Sequence, residues 1–361
     1  MRVIIGQPHA LDQLQRILRS GRIHHAWIFS GPRGVGKYTC AIELARILLD
    51  HEAAPNARGD IEAKSTGHAS HLIDAGTHPD LHIIRKELAL HSDNPLLRAR
   101  KLMNIPLDLL RERMLGGCTS DDRMHEAAAY RTARLGHGKV FIVDEAELID
   151  KWGQNTLLKT LEEPPPATYI VLVTSRPERL LPTIRSRCQH IRFGLLDHAS
   201  MQSWFDGAAL DVGAEERAWL ERFAEGAPGQ ALLAAQFRLF EWRGSLAPMI
   251  GQLERGGFPA EMGKAMAELV KAFSEAWVKG HRNASKDAAN KDGARQLFAL
   301  LTTYARTRLH EAGTDEARAM LFAGVIDLIR DAEIQLDWNV NPRHVFDNLV
   351  AQWSRLALQP S

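Results

Sequence analysis

Gly31, Gly34 and Gly36 lie just ahead of Lys37, after a short apolar run from Ala26 to Phe29 and before a helix-forming stretch. Glycines at this spacing let the backbone curl until successive N–H groups point at one polyphosphate, and the helix N-terminus adds positive potential. Lys37 is then placed to reach the β- and γ-phosphates. In a working loop of this kind the next residue lends a hydroxyl to magnesium. Here that residue is Tyr38, whose phenol is bulky and projects too far from the backbone. Thr39 follows, rotated about 100° around the helix, and substitutes poorly. A glycine-rich turn with no ligand is the plain alternative. Lys37 and its flanking strand and helix favour nucleotide binding, without efficient hydrolysis.

A second chemical marker is the apolar run Val140 to Val143, which ends in Asp144 and Glu145. Downstream of a phosphate loop this pattern would let Asp144 hold magnesium through water and Glu145 polarise an attacking water. Retention of Glu145 argues that some ATPase activity survives. Thr174 and Ser175 follow another apolar run. Their hydroxyls either touch nucleotide or the attacking water, or satisfy a strand end, and the sequence leaves both open. Between His51 and Pro79 there are four histidines (His51, His68, His71, His78) and no cysteine. Their spacings match no common finger, so a solvated loop without metal is expected, and no zinc. Cys188 reads as a small buried residue and not as a nucleophile.

The elements that must carry these residues alternate between helix and strand. Leu11, Leu14, Ile17 and Leu18 fall at helical spacing, and Gly21 stops that helix. Strands are expected at Ala26 to Phe29, Leu81 to Ile84, Val140 to Val143 and Tyr169 to Val173. The last two are continuous apolar runs rich in β-branched residues, as in strands buried on both faces of a parallel sheet. Beyond Phe193 no strand is expected. Three short helices should fill Ser200 to about Phe240, the third starting at the turn Gly226-Ala227-Pro228-Gly229, and the rest is helical. The polar stretch Lys279 to Gly293 has few apolar residues and is expected to be a mobile loop. Trp204, Trp219, Trp242, Trp277, Trp338 and Trp353 are spaced like core or interface anchors. The sequence thus divides into an α/β domain at 1–195, a small helical domain at 196–242 and a larger helical domain at 243–361.

Composition limits the alternatives. A chain of 361 residues, 45 % hydrophobic and 25 % charged, is ordinary for a globular protein of two or three domains. A formal net charge of +1 argues against non-specific nucleic-acid binding as the main activity. Arg131, Arg134 and Lys139 could touch DNA phosphates, although a solvated helix face explains them equally well. No apolar run approaches the roughly 20 residues of a bilayer span. Met1-Arg2-Val3-Ile4-Ile5 lacks the apolar core of a signal peptide. With three scattered cysteines, the expected compartment is a reducing cytoplasm.

Two further stretches carry a resemblance. They are Asn155-Thr156-Leu157-Leu158-Lys159-Thr160-Leu161-Glu162-Glu163-Pro164-Pro165 and Leu180-Leu181-Pro182-Thr183-Ile184-Arg185-Ser186-Arg187-Cys188. Together with Ile5-Gly6-Gln7 and His24-His25-Ala26, they resemble the clamp-loader branch of the AAA+ ATPases. The resemblance implies a RecA-like AAA+ parallel-sheet domain, a three-helix lid and an all-α collar. It also implies a ring of subunits that opens a sliding clamp and places it on primed DNA. Motor subunits of that branch keep an intact Gly-Lys-Ser/Thr and a lid arginine. This chain has Tyr38 at the first position and Gly229 at the second. Both departures resemble a stator-like subunit that offers Arg187, as an arginine finger in trans, to a neighbour's ATP site. The implied partners are gamma/tau-type motor subunits, a delta-type subunit, primer–template DNA inside the ring and, indirectly, the clamp. The chain's own loop (Gly31, Gly34, Gly36, Lys37, Thr39, Asp144, Thr174) would hold ATP and magnesium weakly or without hydrolysis. A surface arginine in a salt bridge is the plain alternative for Arg187.

Overall fold

The computed structural model describes residues 4–100, 102–280, 284–338 and 340–358. Met1 to Val3, and 281–283 within the polar stretch, lie outside the described residues. The chain forms two compact units. One comprises the residues up to Leu210 together with Gly226–Gly229, and the other comprises Asp211–Glu225 and the chain from Gln230 onward.

The first unit is built on β1 (Ala26–Ser30), β2 (Leu81–Ile84), β3 (Lys139–Val143), β4 (Thr168–Thr174) and β5 (Gln189–Arg192). These strands form one parallel sheet in the order β2-β3-β4-β1-β5. Alternation of side chains decides which layer each residue enters. Ala26, Ile28, Phe141, Val143, Ile170 and Leu172 point to one core with α4 (Lys151–Glu162). Trp27, Phe29, Val140, Ile142, Val171 and Val173 point to the other, against α1 (Pro8–Ser20) and α2 (Lys37–Leu49). Burying each of the Val, Ile, Leu and Phe side chains among them stabilises the fold by about 1.5–3 kcal/mol. A parallel α/β sheet followed by an all-helical region is the architecture the sequence predicts.

Strand β5 is not among the expected strands. Gln189, His190 and Arg192 are polar, only Ile191 is deeply buried, and the strand pairs with β1 alone at the sheet edge. The segment after α2 is not the solvated loop expected. A two-stranded hairpin (Ala54–Pro55 with Ile61–Glu62) precedes α3 (His68–Asp74). Polar side chains organise it: Asp50 accepts from the Glu52 and Lys64 amides, and Asn56 from the Arg58 and Asp60 amides. Among the described residues no group of three or more His, Cys, Asp or Glu side chains is arranged to hold a metal ion. Lys139 fits neither reading of the sequence, DNA contact or solvated helix face. It is a buried strand residue whose ammonium donates to the carbonyls of Ala128, Ala129 and Arg131.

After Arg192 the described residues contain no strand. Helices α5 (Pro182–Arg185) and α6 (His198–Gly207) belong to the first unit. The second contains α7 (Ala214–Ala224), most of α8 (Pro228–Gln236), α9 (Leu239–Glu254), α10 (Met262–Gly280), α11 (Lys286–Glu311), α12 (Glu316–Asp337) and α13 (Pro342–Ala357). The loop expected at Lys279 to Gly293 does not extend to its far end, because Lys286 onward is helical and Ser285 caps it by accepting from the Ala288 amide. Small residues pack it: Ala289 and Ala294 are buried, and Gly293 lies against Phe273. Trp219, Trp242 and Trp353 are buried, whereas Trp338 is 77 % exposed and anchors no core. Among the described residues no helix is long and apolar enough to cross a membrane.

Candidate functional site

The phosphate loop joins the C-terminal end of β1 to α2. Gly31, Gly34 and Gly36 have φ of +145°, +77° and +93°, which the missing Cβ permits. Gln7 staples the loop: its Nε2 donates to Val35 O (3.2 Å) and Gly194 O (2.7 Å), and its Oε1 accepts from the Gly194 amide. Lys37 is the first helical residue and is buried. Its ammonium folds back to donate to Gly31 O (2.8 Å) and Pro32 O. Burial lowers its pKa to about 8, and the nearby Glu147 and Asp144 carboxylates offset only part of that fall.

Asp144 and Glu145 follow β3. Because β2 pairs with β3 in register Ile84↔Val143, the residues after β2 face these two carboxylates. Arg85 Nε lies 3.6 Å from Asp144 Oδ2, and the Arg85 guanidinium sits 4.3 Å over the Tyr38 ring. Lys86 Nζ approaches Glu145 Oε2 at 2.7 Å and Arg33 approaches Oε1 at 3.3 Å. Burial raises the Asp144 pKa and Arg85 opposes that rise. Thr174 ends β4, fully buried, and its Oγ1 accepts from the Arg176 amide at 3.0 Å. Thr39 lines a cleft of about 460 Å³ on the flank of α2, beside Ile42, Arg46, Asp74 and His78.

Arg33 in the loop and, farther off in the chain, Arg85, Lys86 and Glu147 contribute to this site without being among the sequence candidates. Glu147 accepts from Ser175 Oγ at 2.7 Å. Burial disfavours its charged form, but hydrogen bonds from Thr174 and Ser175 outweigh that and set its pKa below the ordinary value. The sequence signal for Arg85, Lys86 and Glu147 is basic residues after one strand and acidic residues after the next. It becomes readable only when those strands are known to be neighbours.

The donor set does not fit magnesium. The hydroxyl position is a half-buried tyrosine under a guanidinium, and Asp144 is already paired with that guanidinium. At Gly229 the structure gives a steric reason for the missing lid arginine. The Gly229 amide donates to Gly34 O at 2.8 Å, and a Cβ there would lie 2.7 Å from Gly34 Cα.

Arg187 lies elsewhere. Strands β1 and β5 run parallel with Trp27↔Gln189 and Ser30↔Arg192, so Arg187, two residues before β5, lies at the N-terminal end of the sheet. The phosphate loop leaves from the C-terminal end, about 10 Å or more away along the strands. His25, just ahead of β1, bonds to Leu161 O at 2.9 Å and so brings the end of α4 to the same edge. There Arg187 pairs with Glu162 at 2.7 Å and donates to Thr183 O at 3.0 Å, its side chain 37 % exposed. Arg187 and the loop residues therefore do not form one site. Cys188 is buried and its thiol is pushed up to about 12 by burial, as an unreactive core cysteine should be.

A five-stranded parallel sheet with a glycine-rich loop after β1 and paired acids after β3 is the layout of a phosphate-loop type of α/β domain. The family model described as "DNA polymerase III, delta subunit" matches residues 6–197, and the chain belongs to that family. It is 33 % identical over 205 residues to the DNA polymerase III subunit delta' of Pseudomonas aeruginosa, covering 56 % of this chain and 53 % of the relative. It is 32 % identical over 229 residues to the delta' subunit of Escherichia coli, covering 62 % and 58 %. The DNA polymerase III subunit gamma/tau of Mycobacterium bovis is 31 % identical over 215 residues, covering 55 % of this chain and 29 % of the relative. The chain thus spans between 29 % and 58 % of the length of these curated relatives. A solved gamma-subunit-related protein of Thermotoga maritima aligns over 96 % of this chain and 99 % of its own, at 20 % identity and a TM-score of 0.41.

Proposed function

We propose that the chain is a delta-prime-type subunit of the DNA polymerase III clamp loader, organising the ring and lending Arg187 to the ATP site of a neighbouring gamma/tau-type motor subunit. The observation that carries this reading is the position of Arg187 at the end of the sheet opposite its own phosphate loop. A guanidinium there cannot reach its own nucleotide, yet it is exposed enough to reach another. Inserted beside a γ-phosphate, it would stabilise the charge that spreads over the transferring phosphoryl group, an effect worth roughly 10³–10⁵ in rate. The partners in this reading are motor and delta-type subunits, with primer–template DNA inside the cytoplasmic assembly and the sliding clamp engaged indirectly. Residues 1–195 would act as the nucleotide-type layer, 196–242 as the lid and 243–361 as the collar.

The test is Arg187→Ala in a loader reconstituted with motor and delta-type subunits. Assembly should be retained while DNA-stimulated ATP turnover falls by at least about tenfold. An unchanged rate removes Arg187 from the mechanism. Retention of Lys37, Asp144 and Glu145, together with the gamma/tau relatives, favours a second reading, a motor subunit. Magnesium-dependent turnover by the isolated chain, abolished by Lys37→Ala, would establish that reading instead.

A further inference from the structure

The carboxylates that would meet a metal at the phosphate loop are each met by a cation of this chain. Arg85 is held from two sides, by the face of Tyr38 at 4.3 Å and by Asp144 at 3.6 Å. Its Nε–H is buried without a hydrogen-bond partner, so the ring of Tyr38 and the charge of Asp144 hold the guanidinium on that side. Lys86 and Arg33 occupy both oxygens of Glu145. Tyr38 therefore does two things at once. It removes the hydroxyl that magnesium needs, and it supplies an aromatic face that keeps a cation beside Asp144.

Charge then decides what the loop can accept. A divalent cation would have to displace Arg85 and enter a site where Arg33, Lys37, Arg85 and Lys86 already face Asp144, Glu145 and Glu147. A polyphosphate meets the opposite situation. It brings negative charge to the loop amides and to the Lys37 ammonium, while Arg85 beside Asp144 weakens that carboxylate's repulsion.

We propose that this loop is a metal-free site for a nucleoside di- or triphosphate, in which Arg85, held by Tyr38, takes magnesium's electrostatic role at Asp144. The inference rests on the non-motor reading of the loop given above. Titration calorimetry of the full chain with ADP and with ATP, in EDTA and in excess magnesium, tests it. Wild-type affinity should agree within about twofold between the two conditions, and Lys37→Ala should lose roughly tenfold in both. Arg85→Ala exposes the Asp144 charge. Its affinity in EDTA should fall by about fivefold and recover on adding magnesium. Tyr38→Leu, which removes only the aromatic face, should move in the same direction and guards against a folding defect in the first variant. Wild-type binding that requires magnesium, or an Arg85→Ala variant with an unchanged metal response, overturns the proposal. Absence of any nucleotide binding also overturns it, while leaving the Arg187 proposal standing. Magnesium-dependent turnover abolished by Lys37→Ala would overturn both.

Discussion

Lys37 is a buried ammonium whose pKa drops from 10.5 to about 8 because burial penalises its charge. In the unfolded chain it keeps the ordinary value, so between these two pH values the folded state binds fewer protons than the unfolded one. Wild-type stability must then rise across that window, and the penalty is fully present below about pH 8. Lys37→Met lacks this dependence. The difference in urea-unfolding stability between wild type and variant should shift toward wild type as pH climbs from about 8 to about 10.5. A flat difference would mean that the lysine stays solvated when the loop is empty. The same residue shows how far sequence reading goes at this scale. The loop glycines, Lys37, Asp144 and Glu145 were legible because their chemistry is local in the chain. Arg85 and Lys86 were not, because nothing in residues 81–86 reveals that β3 will be their neighbour.

At the scale of elements, α4 ties the sheet to the segment that carries Arg187. Gln154, buried on this helix, donates to Ile149 O at 3.1 Å and Arg179 O at 3.3 Å, and accepts from the Leu181 amide at 2.8 Å. It thereby fixes the chain just ahead of α5, where Thr183 and then Arg187 follow. Gln154→Ala leaves buried backbone groups without partners. It should cost about 1–3 kcal/mol in urea unfolding, and loader ATPase should fall with it as Arg187 loses its fixed base. A variant of wild-type stability would show that the segment holds itself. Strands β3 and β4 were readable as apolar runs because both of their faces are covered. Strand β5 escaped because an edge strand needs only one buried residue and its backbone supplies the rest. The start of α11 escaped for a related reason. Ala289, Gly293 and Ala294 pack by being small, and hydropathy gives small residues little weight.

For the whole molecule, a net charge of +1 leaves little long-range attraction for DNA, and Lys139 adds none because its ammonium is spent on backbone carbonyls. Lys139→Met should bind primer–template DNA as the wild-type chain does, while losing about 1–3 kcal/mol of stability as those carbonyls lose their donor. Weaker DNA binding without loss of stability would place the lysine at a nucleic-acid surface after all. The contact between Gly229 and Gly34 bears on the history of such a chain. Any side chain at 229 must first lift the backbone off the loop, and in the metal-free reading proposed above an arginine gained there would have no metal-bound phosphate to meet. In the proposed supporting role, a neighbour that relied on Arg187 would be served by a partner whose own loop leaves no room for a side chain at 229.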